Sequence, residues 1–203
     1  MNTTELLRAV IATPEWEWEW LDLLSQMEYV GCRKIAKSLS FERMNLETLQ
    51  HLSEEARHAF LLKGTAEKLG LGPRSWKQGL FSEIGWAYFS LLDQFVSDLQ
   101  GSELGHYPAV SWAVEQRVLK LYPEYLEITC EPEVKRVLRQ ILAQEERHAK
   151  QFDPTTLMTE TTRTRALDVE RMLWDDFCAS ALQKIESKES NLPRIQASPS
   201  YLH

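Results

Sequence analysis

The chain is poor in the residues that break helices or build staples. Among its 203 residues there are 8 Gly, 8 Pro and 3 Cys. That excludes a collagen-like, Gly/Pro-rich or disordered chain, since 43% of residues are hydrophobic and 26% charged. Cys32, Cys130 and Cys178 lie far apart with no Cys-x-x-Cys, which excludes a zinc ribbon or rubredoxin-type site and argues against a disulfide framework. Basic stripes are lacking, and the net charge is −7, so neither nucleic acid nor an anionic membrane is an expected partner. No run approaches 18 apolar residues, so no spanning helix is expected. The first residues lack a basic start followed by a long apolar run, and the expected setting is reducing and cytoplasmic.

Strand signals are absent, and apolar residues recur at three and four, the period of a helix. The pattern predicts helices over residues 4–12, 15–39, 45–69, 80–99, 132–152 and 164–185. A further helix starts near Pro108 and reaches Tyr122, or Thr129 if it continues across Pro123. Asn45 is placed to cap the third helix, Gly70 to stop it, and residues 70–79 to form a loop. The expectation is an all-α chain: a short N-terminal helix (1–14), a four-helix bundle domain with added crossover and C-terminal helices (15–186), and a loose polar tail (187–203).

Polar residues stand on the stripes meant for the core. Val134, Leu138, Ile141, Glu145, His148 and Phe152 follow one another by four and three, one helix face interrupted by Glu145 and His148. Leu52, Glu55, His58 and Leu62 repeat the pattern, with His51 a turn earlier. Glu28 stands among Leu21, Leu24, Cys32 and Ile35, and Glu115 among Trp112, Val118 and Tyr122. The chain thus carries Glu-x-x-His twice, each preceded by a lone core Glu.

Their depths match. Glu28 and Glu55 flank a turn near Glu42 at about 13 residues each, roughly 20 Å along either helix. Glu115 and Glu145 flank Cys130 at about 15 residues each, provided that Pro123 kinks its helix without ending it, the preferred reading. In two antiparallel hairpins each pair meets at one level. Four buried carboxylates without compensation cost several kcal/mol each or stay protonated. Two divalent cations neutralise them, and oxygen donors with one imidazole per ion suit iron or manganese better than zinc.

With those residues in place, the chain resembles the ferritin-like di-iron carboxylate superfamily over residues 15–152. The string Glu54-Glu55-Ala56-Arg57-His58 is similar to the acidic-Glu-x-Arg-His motif of acyl-carrier-protein desaturases and bacterial multicomponent monooxygenases. The second copy has Gln144 where the motif often has an acid. The resemblance implies two iron ions (or manganese) held by Glu28, Glu55, His58, Glu115, Glu145 and His148. It implies that Glu54, Arg57 and Arg147 support those ligands from behind. His51 is read as an added ligand, a supporting partner, or an ordinary surface or core histidine.

The implied function is an oxidoreductase that activates O₂ to oxidise a small organic substrate. Electrons would come from a separate reductase, since no Gly-rich nucleotide turn or Cys cluster is present. Two alternatives stay open: an iron or manganese storage, scavenging or ferroxidase module, and a metal-free interaction bundle. Cys32 is expected to be a small buried residue and His106, in a loop, a cap or surface group; Tyr29 and Tyr122 are read as packing residues, with redox chemistry near the metals as the alternative. The Trp16/Trp18/Trp20 run covers a bundle end or joins two copies in a homodimer. The aromatic helix 81–99 walls a pocket, forms an interface, or is plain core.

Overall fold

The computed structural model describes residues 3–38, 45–100, 107–151 and 159–190. They form seven α-helices: α1 (Thr3–Val10), α2 (Pro14–Ser38), α3 (Leu46–Ala66), α4 (Ser82–Gln100), α5 (Tyr107–Ile128), α6 (Pro132–Gln151) and α7 (Glu160–Ser190). Among the described residues there is no strand, and no helix is long and apolar enough to cross a membrane. His106, the turn around Glu42, Phe152 and the tail beyond Ser190 lie outside the described residues. The helix α7 runs on through residues 187–190, where a loose tail was expected.

Local chemistry sets the ends. Asn45 is extended and its side chain accepts from the Thr48 amide at 2.9 Å, satisfying one of the free amides of the first turn of α3. The other end of α3 widens into a single π turn (Glu67–Leu71) and stops at Gly70. Gly70 has φ 137°, and a Cβ there would lie 2.5 Å from the Trp18 ring, so only glycine fits. The following segment is not all loop, for Trp76–Gln78 form a short 3₁₀ turn with Ser75 as its cap. Pro123 lies inside α5, which continues to Ile128.

Four helices form a closed ring of neighbours: α2 against α3, α3 against α6, α6 against α5, and α5 against α2. Side chains register α2 on α3 in antiparallel sense. Ser25 donates to the Ala59 carbonyl at 2.6 Å, Lys63 pairs with buried Asp22 one turn on, and Trp18 meets Gly70. The α2–α5 contact is pinned by buried Glu17, which accepts from Tyr125 Oη at 3.0 Å and from Thr129 Oγ1. Glu17 belongs to the tryptophan run, of which Trp20 is fully buried against Phe81 and Phe177.

Helices α1, α4 and α7 lie outside this ring, with α4 packed on α7 and α7 also touching α1 and α5. Their shared core is aromatic: Trp174 stacks on Phe177 at 4.8 Å, and Tyr88 meets both edge-on. One buried charge, Glu170, is matched there by two Arg117 hydrogen bonds of 2.8 Å and by Tyr88 Oη at 2.8 Å. Phe81, just before α4, and Tyr88, Phe89 and Leu92 on it are core, whereas Trp86, Leu91 and Phe95 are exposed.

Candidate metal centre

Buried acidic residues gather near the middle of the ring of four helices. Glu28 (α2), Glu55 and His58 (α3), Glu115 (α5), and Glu145 and His148 (α6) are all buried, none more than 7% exposed. The cause is the spacing on each helix: each residue sits on the stripe whose other members, such as Ile35, Leu62, Tyr122 and Ile141, fill the core. Two groups of ligand atoms lie within 4.8 Å of one another. One is Glu28, Glu55, His58 and Glu145; the other is His51, Glu55 and His148. Glu55 belongs to both.

The distances show how the groups join. His58 Nδ1 is 3.0 Å from Glu145 Oε1 and 3.7 Å from Glu28 Oε2. His148 Nδ1 is 3.5 Å from Glu145 Oε2 and 3.9 Å from Glu55 Oε1. Glu145 therefore stands between the two histidines. Glu115 enters neither cluster, but its Oε1 is 3.8 Å from His51 Nε2 and accepts from Ser111 at 3.4 Å.

The outer nitrogens fix the tautomers. His148 Nε2 is 2.6 Å from Glu54 Oε2, and His58 Nε2 is 2.7 Å from Gln144 Oε1. Carboxylate and amide oxygens only accept, so each Nε2 carries its proton. In the neutral ring each Nδ1 is then a bare lone pair aimed at the carboxylates. Neither Nδ1 has a hydrogen-bond partner, nor do Glu145 Oε1 and Glu115 Oε2. Four orphaned buried donor and acceptor atoms around one point are what a cation would satisfy. This donor set, carboxylate oxygens with imidazole nitrogen, could hold a metal ion.

Electrostatics agree. Burial would lower the His58 pKa, but the Glu145 and Glu28 carboxylates beside it outweigh burial and push it up to about 11. Burial, then the charges of Glu145 and Glu28, hold the Glu55 carboxyl well above the usual range. Burial raises Glu115 to about 7. Glu145 resists its burial because His148 and His58 hold it at about 2. Without a cation the cluster must borrow protons to lower its charge.

Of the supporting residues, Glu54 touches His148 and is braced by Arg147 at 3.0 Å. Arg57 departs from expectation: it is exposed and outside the cluster. Two positions after Glu55 is the far side of a helix, so the string alone did not place it. Cys32 is half-buried where a buried residue was expected, because Gly31 and Ile35 continue the inward stripe from Glu28 and Cys32 falls on its flank. Tyr29 is 40% exposed and stacks on Trp76 at 4.9 Å, away from the centre.

Tyr122, expected near the site, donates to Glu28 Oε1, and Gln144, noted as a departure from the motif, holds His58. Gly31 leaves room for Glu55, since a Cβ there would sit 2.9 Å from Glu55 Oε2. For Gln144 a signal existed, namely that it occupies in the second motif the place of Glu54 in the first.

A cavity of about 40 Å³ lies against the centre, lined by Glu28, His51, Glu55, Glu115 and Glu145 on one side and Ile35, Phe89, Val114 and Val118 on the other. A larger, mixed-charge hollow of about 400 Å³ between α1, α5 and α7 touches none of these residues. The chemistry, not the volume, locates the site. Comparison with known proteins finds no family model, no curated protein and no solved structure that matches the chain.

Proposed function

We propose that this protein is a ferritin-like dinuclear metal oxidoreductase that uses O₂. The observation that carries the reading is the convergence of Glu28, Glu55, His58, Glu115, Glu145 and His148 from four helices, with the Nδ1 atoms of both histidines turned toward the carboxylates. Glu28 and His58 would hold one ion, Glu115 and His148 the other, and Glu55 and Glu145 would serve both. Four carboxylates and two divalent ions sum to zero charge, which removes the penalty of burying the acids. Two iron ions held there would supply redox chemistry toward O₂, with a separate reductase as the electron source. The protein's share is placement and dryness: Glu54 and Gln144 aim the imidazoles, Tyr122 holds Glu28, and Ile35, Phe89, Val114 and Val118 keep the cavity wall apolar.

The substrate read into this site is a small organic molecule whose apolar part reaches the cavity between α2, α4 and α5. A cavity of about 40 Å³ has room for a few water-sized molecules. O₂ fits it directly, and a bulkier substrate requires movement of the lining residues Phe89 and Lys34, the latter paired with Asp93. That size favours, as a second reading, a ferroxidase in which Fe²⁺ itself is oxidised.

Purified protein loaded anaerobically with Fe²⁺ tests both. Two irons per chain and an O₂-dependent visible band support the dinuclear reading. Stopping after one turnover without an added organic substrate favours the oxygenase. Continued O₂ uptake with excess Fe²⁺ favours the ferroxidase. No bound metal, with melting unchanged by chelator, overturns both.

A further inference from the structure

The two halves of the centre are not alike. We propose that His51 is a seventh protein ligand, which makes the ion position beside His148 a nitrogen-rich, tight site and leaves the position beside His58 the weaker one. The proposal rests on the dinuclear reading above and goes beyond its six ligands.

Three independent differences point the same way. The first is position. His51 precedes Glu55 by four and His58 by seven, so α3 turns all three toward the centre. His51 Nε2 is 3.2 Å from Glu55 Oε1 and 3.8 Å from Glu115 Oε1, and its ring centroid is 4.1 Å from that of His148. It forms a cluster of ligand atoms with Glu55 and His148 that excludes His58. The second is donor type. The His148 side offers two imidazoles, whereas the His58 side offers one imidazole among Glu28, Glu55 and Glu145. Added nitrogen favours Fe²⁺ or Co²⁺ over Mn²⁺, which carboxylates suit better. The third lies behind the ligands. His148 leans on a carboxylate, Glu54, and His58 on a neutral amide, Gln144. A carboxylate behind an imidazole makes its ligating nitrogen more basic. One fold thus holds a tight site for a nitrogen-preferring divalent ion next to a looser, oxygen-rich site open to Mn²⁺.

Metal-free protein titrated with Co²⁺ tests this, followed by visible absorption and calorimetry, with crystals given one equivalent and scanned for anomalous scattering. The wild type should bind two ions in steps at least roughly tenfold apart, the first beside His148 and contacting His51. The substitution His51→Ala should weaken the first step by about ten- to a hundredfold and leave the second in place. Because the change also removes the His51 contact to Glu55 Oε1, metal-free melting is read alongside it, and the Gln144→Glu arm decides if that melting falls. The reverse change, Gln144→Glu, should tighten the second step, a gain that misfolding cannot produce. Two equal steps, a first ion beside His58, or a His51→Ala titration identical to wild type overturns the inference and leaves the dinuclear reading standing. Binding of no Co²⁺ at all overturns both.

Discussion

His148 Nε2 lies 2.6 Å from Glu54 Oε2, and the motif that supplies each is the partner of the other. Glu54 stands just before Glu55 on α3, and it holds the histidine of α6. Gln144 stands just before Glu145 on α6, and it holds the histidine of α3. Each Glu-x-x-His is therefore oriented by its counterpart, and the antiparallel α3–α6 contact is part of the metal centre.

Glu55→Gln copies the shape of the protonated acid that burial favours in the metal-free protein. It should cut bound metal from two ions per chain to fewer than one. Metal-free melting at pH 8 should rise by roughly 2–8 °C, corresponding to about 1–2 kcal/mol in a chain of this size. Metal analysis and calorimetry check both, and retention of two ions would remove Glu55 from the ligand set.

Metal uptake should strengthen with pH. The His58 imidazole at about 11 and the raised Glu55 carboxyl must release protons to bind a cation. Apparent affinity should therefore rise by at least about tenfold per pH unit between pH 6 and 7. The metal-free fold moves the other way. A carboxyl with a raised folded pKa stabilises only while protonated, so Glu115 contributes up to its ordinary 4.5 and loses that contribution through about 7. The raised His58 loses its contribution only as pH passes about 11, above this window. The gap in Tm between loaded and metal-free protein should widen from pH 5 to pH 8. A constant gap counts against the protonation scheme.

Gly31→Ala separates fold from site. Alanine in mid-helix should stabilise α2 by about 0.5–1 kcal/mol, while its Cβ, 2.9 Å from Glu55 Oε2, displaces that carboxylate. The expected pair of outcomes is unchanged or higher metal-free Tm with weaker metal binding. Equal affinity would show that Glu55 has slack.

Tyr122→Phe removes the donor to Glu28 Oε1 in a fully enclosed place. Leaving a buried carboxylate short of a partner should cost about 1.5–3 kcal/mol without metal. Added metal should recover part of that loss, since the ion then engages Glu28. Denaturant unfolding with and without Fe²⁺ under anaerobic conditions measures it, and an equal loss in both would place Tyr122 outside the centre's electrostatics.

The helices and their polar interruptions were legible because both are matters of period. Glu145 and His148 break an apolar stripe, and a stripe is visible in one dimension. The continuation of α5 through Pro123 followed from requiring Glu115 and Glu145 to meet at one level, a constraint between helices. What stayed hidden depends on rotation and cross-helix reach. Arg57 shares a motif with Glu55 yet faces out. Gln144 reads as a weakened motif position until the α3–α6 contact shows it holding His58. Cys32 falls beside the inward place that spacing suggested for it, because helix α2 turns Gly31 to face Glu55.

The acidic layer interrupts the core halfway along the ring, between Leu21 and Leu24 at one end and the α3 cap at Asn45 toward the other. Cohesion there comes from charge and not from oil, so under the dinuclear proposal the chain should reach its full rigidity only with cations bound. Backbone amides on α3 and α6 flanking Glu55 and Glu145 should exchange with deuterium sooner than those near Leu62 and Leu138, and filling the centre should close that difference. Exchange along a single helix would then record how fully the centre is loaded.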